Sequence, residues 1–156
     1  MAVYSINANF ASVTTTAKTA AVLTGGATLP RRGKVFDINM SQGAAPASTD
    51  TNIVFAMSRV TAAGTSTAYT PVANDPADQA ATTVGGINSS VEPTYTANSI
   101  VFSMGLNQRA PYRWQTYLGS GGEIVWPATT AAGVGFNVLS AGYTGNAGGI
   151  IYFQEQ

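Results

Sequence analysis

The apolar residues of this chain alternate with polar or small ones, and that period of two constrains the fold more than any other feature. Asn98 to Leu106 sets Ile100, Phe102, Met104 and Leu106 on one face and Val101, Ser103 and Gly105 on the other, the pattern of a half-buried strand. The same reading sets Phe36, Ile38 and Met40 against Val35, Asp37 and Asn39, and Ile53, Phe55 and Met57 against Val54, Ala56 and Ser58. Val134, Phe136 and Val138 face away from Gly135 and Asn137, Tyr4, Ile6, Ala8 and Phe10 alternate near the start, and Ile150 to Phe153 is a short run expected to be buried on both faces. Weaker strands fit Lys18 to Thr24, Tyr112 to Leu118 and Glu123 to Trp126, which makes about eight in all. Nowhere does a helical stripe persist for three turns.

Glycines punctuate these runs at Gly25-Gly26, Gly43, Gly119 through Gly122, Gly133 and Gly145 through Gly149, where they are expected to supply the positive φ angles of hairpin turns. Many short strands at near-regular spacing point to an all-β, antiparallel sandwich, jelly roll or small barrel. With 156 residues the chain is the size of one domain, taken to span 1–156. One stretch breaks the rhythm: Thr61 to Pro93 is rich in Ala, Thr, Ser and Asn, and Pro71, Pro76 and Pro93 oppose both helix and strand. It is expected to be a long irregular loop that contacts a neighbour, and Met1 to Phe10 an arm or edge strand that does the same.

Composition narrows the chemistry. Charged residues are 9% of the chain, against roughly 25% in an average soluble protein. Hydrophobic residues stand at 45% and seven acids balance seven bases, so the chain has neither the low hydrophobicity nor the net charge of a disordered one. The absence of His and Cys excludes Ser-His-Asp and Cys-His catalysis, imidazole and thiolate metal sites, and disulfides. Zero net charge argues against nucleic-acid binding. No apolar run approaches the roughly 18 residues of a spanning helix, and no basic segment leads an apolar one at the start, so neither a membrane anchor nor a signal peptide is expected.

The remaining candidates are weighed against plainer structural roles. Any two of the seven acids might meet across a sugar, but no spacing singles out a pair, and surface carboxylates are the expectation; Asp37 is placed on the outward face of its strand. Asn74, Asp75 and Asp78 offer oxygen ligands for a hard cation, yet Asx-turns around Pro76 explain them more simply, and no metal or cofactor is expected. Gly119-Ser120-Gly121-Gly122 lacks the Lys-Ser/Thr that follows a phosphate-binding loop. Arg31, Arg32 and Lys34 form the basic cluster of the chain, suited either to a solvated turn or to acids on a protein partner. Tyr112, Trp114, Tyr117 and Trp126 with Arg109 and Arg113 make an aromatic and arginine-bearing stretch of the kind interfaces use. Trp114 is assigned to the core, while Arg113 and Tyr117 fall on the opposite face.

The order of these segments resembles a known family. Leu29-Pro30-Arg31-Arg32-Gly33-Lys34-Val35-Phe36-Asp37-Ile38, then Ser58-Arg59-Val60-Thr61-Ala62-Ala63-Gly64-Thr65, Thr70-Pro71-Val72 and Asp75-Pro76-Ala77-Asp78 are similar to small proteins of the head gene clusters of tailed bacteriophages. Pro93-Thr94-Tyr95, Asn107-Gln108-Arg109 leading to Arg113-Trp114, the Gly-Gly-Glu turn before Ile124-Val125-Trp126-Pro127-Ala128, and a last strand ending at Glu155 carry the resemblance over nearly the whole chain. It lies in the order of the motifs, none of which is catalytic. The resemblance implies a jelly-roll capsid decoration, or cement, protein: a homotrimer on the outer surface of the virion, made in the host cytoplasm, that binds and stabilises the shell of major capsid protein.

Such a role needs no catalytic group, no cofactor, no nucleic acid and no membrane. The interface candidates are Tyr4, Arg31, Arg32, Tyr69, Arg113, Tyr117 and Trp126. The alternative is a carbohydrate- or receptor-binding jelly-roll module of a head or tail fibre, with Trp126, Tyr117 and Tyr143 as stacking platforms. A carboxylate-type enzyme comes third.

Overall fold

The computed structural model describes residues 1–8, 11–13, 16–43, 48–139 and 143–156, with backbone alone for 11–13; Phe10, the last of the alternating N-terminal residues, lies outside them. The chain forms strands β1 (Val3–Asn7), β2 (Ala11–Val13), β3 (Lys18–Thr24), β4 (Gly33–Gln42), β5 (Asn52–Ala62), β6 (Thr65–Tyr69), β7 (Val72–Ala73), β8 (Val84–Val91), β9 (Thr94–Asn107), β10 (Tyr112–Gln115), β11 (Ile124–Trp126), β12 (Gly133–Leu139) and β13 (Gly145–Glu155), and no helix among the described residues.

They build two antiparallel sheets, β10-β4-β13-β1-β7, with β11 on β4 and β2 on β13, and β6-β8-β3-β12-β5-β9. Setting aside β2, β6, β7 and β8, the pairs β1 with β13, β3 with β12, β4 with β10 and β11, and β5 with β9 are those of one long hairpin rolled up so that alternate pairs fall in opposite sheets. That is jelly-roll winding. The all-β sandwich expected from the alternation is therefore present.

The inner faces meet where the alternation placed apolar residues. Ile53, Phe55 and Met57 of β5 and Val134, Phe136 and Val138 of β12 are buried, as are Tyr4, Ile6 and Ala8 near the start, and Phe55 stacks on Phe136 at 5.6 Å. Tyr4 and Trp126 pack against Phe153 at 5.6 and 5.4 Å.

Four expectations change. In β4 the register against β13 shifts between Tyr152 and Phe153, which pair with Asp37 and Val35 and leave Phe36 as the extra residue of a bulge. The bulge resets the side-chain phase, so Val35 joins Ile38 and Met40 in the core, Phe36 is half-buried, and Asp37 is buried rather than solvated. Thr61 to Pro93 is not an irregular loop: it holds β6, β7 and β8, which extend the second sheet past β3 and the first past β1. The N-terminal stretch is not an arm, because β1 lies between β13 and β7 with Tyr4 and Ile6 buried. Ile150 and Tyr152 are half-buried, so the last strand is covered fully on one face alone.

The glycines also divide. Gly119 and Gly121 have φ of 88° and 80° and make the turn before β11, as expected. Gly133 and Gly149 instead lie inside strands, where a Cβ would sit 1.8 Å from the Leu23 carbonyl oxygen and 1.6 Å from that of Asn39. Gly33 is the analogous case with a side chain: its missing Cβ leaves room for the Trp126 indole, whose Cζ2 would be 1.9 Å away. Because that ring is fully buried against Phe153, it has nowhere to move. Gly33→Ala is expected to lower the unfolding free energy by about 1–3 kcal/mol, the usual cost of overpacking, measured by urea denaturation; an unchanged midpoint would show that the indole relaxes freely.

Candidate interaction surface

Three surface features bear on function, and each follows from how the strands end. The first is the free edge of β9. It spans 14 residues, more than the commonest strand length of about 5–6, and pairs with β5 on one side only. Register shifts interrupt the ladder between Met57 and Ala62, whereas Ile53 to Met57 runs regularly against Phe102 to Leu106. No residue from Thr94 to Asn107 is charged, and Ile100 and Val101 are 56% and 40% exposed. Phe102, Met104 and Leu106 are half-buried on the face where the alternation placed them, but Ile100, expected beside them, is exposed, because the register against β5 passes from Phe102 to Ile100 and leaves Val101 as the extra residue of a bulge.

The second is the turn between β10 and β11. Trp114 packs inward on Phe102 at 5.5 Å, tying the edge of one sheet to the edge of the other, while Tyr117 is 87% exposed and Leu118 also faces solvent. The Glu123 carboxylate accepts hydrogen bonds from the Gly119 and Gly121 amides, the latter at 3.0 Å, and so holds the turn that presents Tyr117. The Gly119 amide, then Glu123's own backbone amide, and to a smaller extent Lys34 and the Gly121 amide keep the Glu123 carboxyl below its ordinary value, with burial opposing.

The third is a cleft of about 520 Å³ lined by Arg32, Arg59, Val125, Trp126, Pro127 and Ala128. Arg59 Nη1 donates to the Val125 carbonyl at 2.6 Å, a bond from one sheet to the other.

The sequence-predicted residues distribute unevenly over these features. Arg32 is exposed in the cleft and Tyr117 crowns the turn. Arg31 is half-buried, and Tyr69 packs partly against the core beside a 260 Å³ recess that it lines with Pro71 and Thr82. Arg113 is exposed on its outer side but committed to Asp37, which its Nε reaches at 2.9 and 3.2 Å; this pair explains how a carboxylate is accommodated at a buried position.

Tyr4 and Trp126 are core residues, 3% and 0% exposed. The Tyr4 hydroxyl donates to the Gln79 carbonyl at 3.0 Å, and its pKa is raised by burial and by Glu155 and Asp78. Tyr143 is likewise buried, with its hydroxyl bonded to the Asn146 carbonyl at 2.9 Å. Two of the three supposed stacking platforms therefore cannot meet a sugar in this fold, and Tyr117 alone remains exposed. Asp75 Oδ1 accepts the Ala77 amide at 2.9 Å, the Asx-turn expected around Pro76.

Sequence reasoning missed a buried polar cluster that locks the β8–β9 turn onto β3 and β12. Glu92 accepts the Thr19 amide at 3.0 Å and the Thr19 hydroxyl; the Tyr95 hydroxyl lies 2.5 Å from Thr19 Oγ1 and bonds to Asn137 Oδ1, and Asn137 Nδ2 reaches Ser58 Oγ at 3.3 Å. Burial pushes the Tyr95 phenol upward, with Glu92 adding to it and the Thr19 and Asn137 bonds opposing. Glu155 does similar work at the other end of that segment, accepting the Thr83 amide at 2.7 Å and the Thr82 amide and hydroxyl at 3.2 and 3.1 Å. The signal in the sequence was a polar residue at an inward position, as at Thr19 and Asn137, but no spacing announces which polar residues will meet.

No family model, curated protein or solved structure matches this chain.

Two outcomes follow from this geometry. Tyr95→Phe removes the hydroxyl that donates to Asn137 Oδ1, and the one Thr19 hydroxyl proton already goes to Glu92, so a loss of about 1–3 kcal/mol in chemical unfolding is expected from the acceptor left unpaired. An NMR titration should place the Glu123 carboxyl below the ordinary 4.5, with the Gly119 and Gly121 amide shifts following the same curve. Since the folded value is depressed, the stabilisation of the turn is complete above the unfolded value and is lost as the pH falls through the folded one. A Glu123 midpoint at or above 4.5 would contradict the capping role.

Proposed function

We propose that this chain is a structural virion protein that decorates and stabilises a bacteriophage capsid, binding the outer surface of the shell of major capsid protein as a homotrimer. The observation that carries the reading is the bare edge of β9. An edge strand offers unpaired N–H and C=O groups to any other strand where its ladder is regular, here Phe102 to Leu106, and stable monomers blunt such edges with charges, prolines, bulges or covering loops. From Thr94 to Asn107 there is no charge and no proline, and apolar side chains flank the edge at Ile100 and Val101. Such an edge suits a chain that works with a neighbour against it.

The charge content supports the same reading. Binding desolvates whatever the surface carries, and removing an ion from water costs several kcal/mol unless it is paired well. A chain in which 9% of residues are charged meets a shell or a sister subunit largely without that cost. The order of motifs shared with phage head proteins supports a shell as the partner, and the jelly roll supplies a rigid body with turns such as Gly119–Gly122 at its ends.

Two measurements on one preparation test this. The purified chain should elute with the mass of a trimer and co-sediment with purified capsids, while Val101→Lys should lower the mass to that of a monomer and change monomer stability by no more than about 0.5 kcal/mol, as for other exposed sites. A wild-type monomer that does not bind capsids would overturn the proposal.

A further inference from the structure

The cations of the chain have different fates. Lys18 donates to the Ser89 carbonyl, Arg109 pairs with Asp50, and Arg113 pairs with Asp37. Arg32 and Arg59 belong to neither of the two ion pairs among the described residues, yet the fold brings them from different sheets to the walls of one cleft. Arg32 precedes β4, and Arg59 lies in β5 opposite Val134 of β12.

The bond from Arg59 to the Val125 carbonyl fixes its guanidinium at the cleft while using one of five N–H donors. Between the two cations the accessible wall is apolar, formed by Val125, Pro127 and Ala128, while Trp126 itself is fully buried. Arg31 and Lys34 flank Arg32 in the chain, but each has acids in reach, Glu155 and Asp78 around the Tyr4 hydroxyl that Arg31 also influences and Glu123 near Lys34, so the charge offered to a ligand at the cleft is that of Arg32 and Arg59.

We propose that this cleft is a docking site for an acidic segment of a partner protein, whose carboxylates are held by Arg32 and Arg59. A guanidinium matches a carboxylate with two parallel N–H···O bonds, and one that is already anchored loses less freedom on binding. Charge complementarity selects the occupant: two cations without acids call for carboxylates, and the apolar wall suits the methylene stems and backbone of a peptide. A nucleic acid fits less well, because its affinity draws on a surplus of Lys and Arg that a chain of zero net charge lacks. The inference rests on the chain being an interaction protein and adds the chemistry by which it selects its partner.

The test titrates the full chain with a blocked tetraglutamate peptide, a tetraglutamine peptide and inorganic phosphate, followed by calorimetry and by tryptophan fluorescence, since Trp126 lines the cleft. Tetraglutamate should bind and weaken with salt, tetraglutamine should not bind, and phosphate should bind about tenfold more weakly. The double variant R32Q/R59Q should lose about tenfold in tetraglutamate affinity, and Arg59→Lys, which keeps the charge but not the fork, should lose less. Unchanged thermal midpoints would show that the variants fold.

Absence of tetraglutamate binding, binding untouched by R32Q/R59Q, or equally tight phosphate binding would overturn the proposal. The failures separate in the capsid assay. Wild type and R32Q/R59Q co-sedimenting equally would refute the cleft and leave the decoration role standing, whereas tetraglutamate binding without capsid binding would refute the role and leave the cleft.

Discussion

The fold depends on its last strand finding its first and fourth. Strand β13 pairs Gln154 with Val3 on one side and Ile151 with Ile38 on the other, so it is an inner strand of its sheet and carries Ile151 and Phe153 into the core. Until it docks, β1 and β4 share no partner, the Trp126 indole lacks Phe153, and Glu155 is away from the amides that it caps at Thr82 and Thr83. Contacts this remote in sequence have loop closure as their main opposing cost, which puts such a chain among slow-folding β proteins.

From that pairing follows where the surface is free. Rolling one long hairpin into two sheets leaves its closed end, the 61–93 segment between β5 and β9, to be accommodated outside the eight-strand roll. The chain does so by adding β6 and β8 beyond β3 and β7 beyond β1, and by tying the return turn down with Glu92, Thr19 and Tyr95. The free edge of β9 is what this arrangement leaves uncovered. The polar side chains of this segment are thus spent on fixing its own turns, while the edge of β9 stays uncharged.

Most of the core could be read from the sequence because alternation and burial are the same fact for a strand in a sandwich. Ile53, Phe55, Met57, Val134, Phe136 and Val138 all lie where their period puts them. The reading slipped where local pattern is not the cause of structure. The bulge at Phe36 arises from the register against β13 and inverts the phase of Val35 and Asp37, which no property of β4 alone reveals. Strands β6 and β8 escaped because TSTAY and VGGINSSV show no apolar alternation; Gly85 and Gly86 are there so that Tyr69 and Ser66 can approach, with a Cβ leaving only 2.4 Å to the Tyr69 carbonyl oxygen and 1.9 Å to Ser66 Oγ. Trp126 drew notice as an aromatic near arginines and is a core residue because Gly33 makes space for it; Arg59, which completes the cleft, carries no local signal that would single it out.

The proposed decoration role rests on the rolled sandwich and on the uncharged edge of β9. Cryo-electron microscopy of the intact virion tests this most directly. The account expects the jelly roll on the outer surface of the capsid, three copies around a local three-fold axis, with the β9 edge against a neighbouring chain. Particles whose capsid surface carries no such density, or in which the β9 edge faces open solvent, would contradict it.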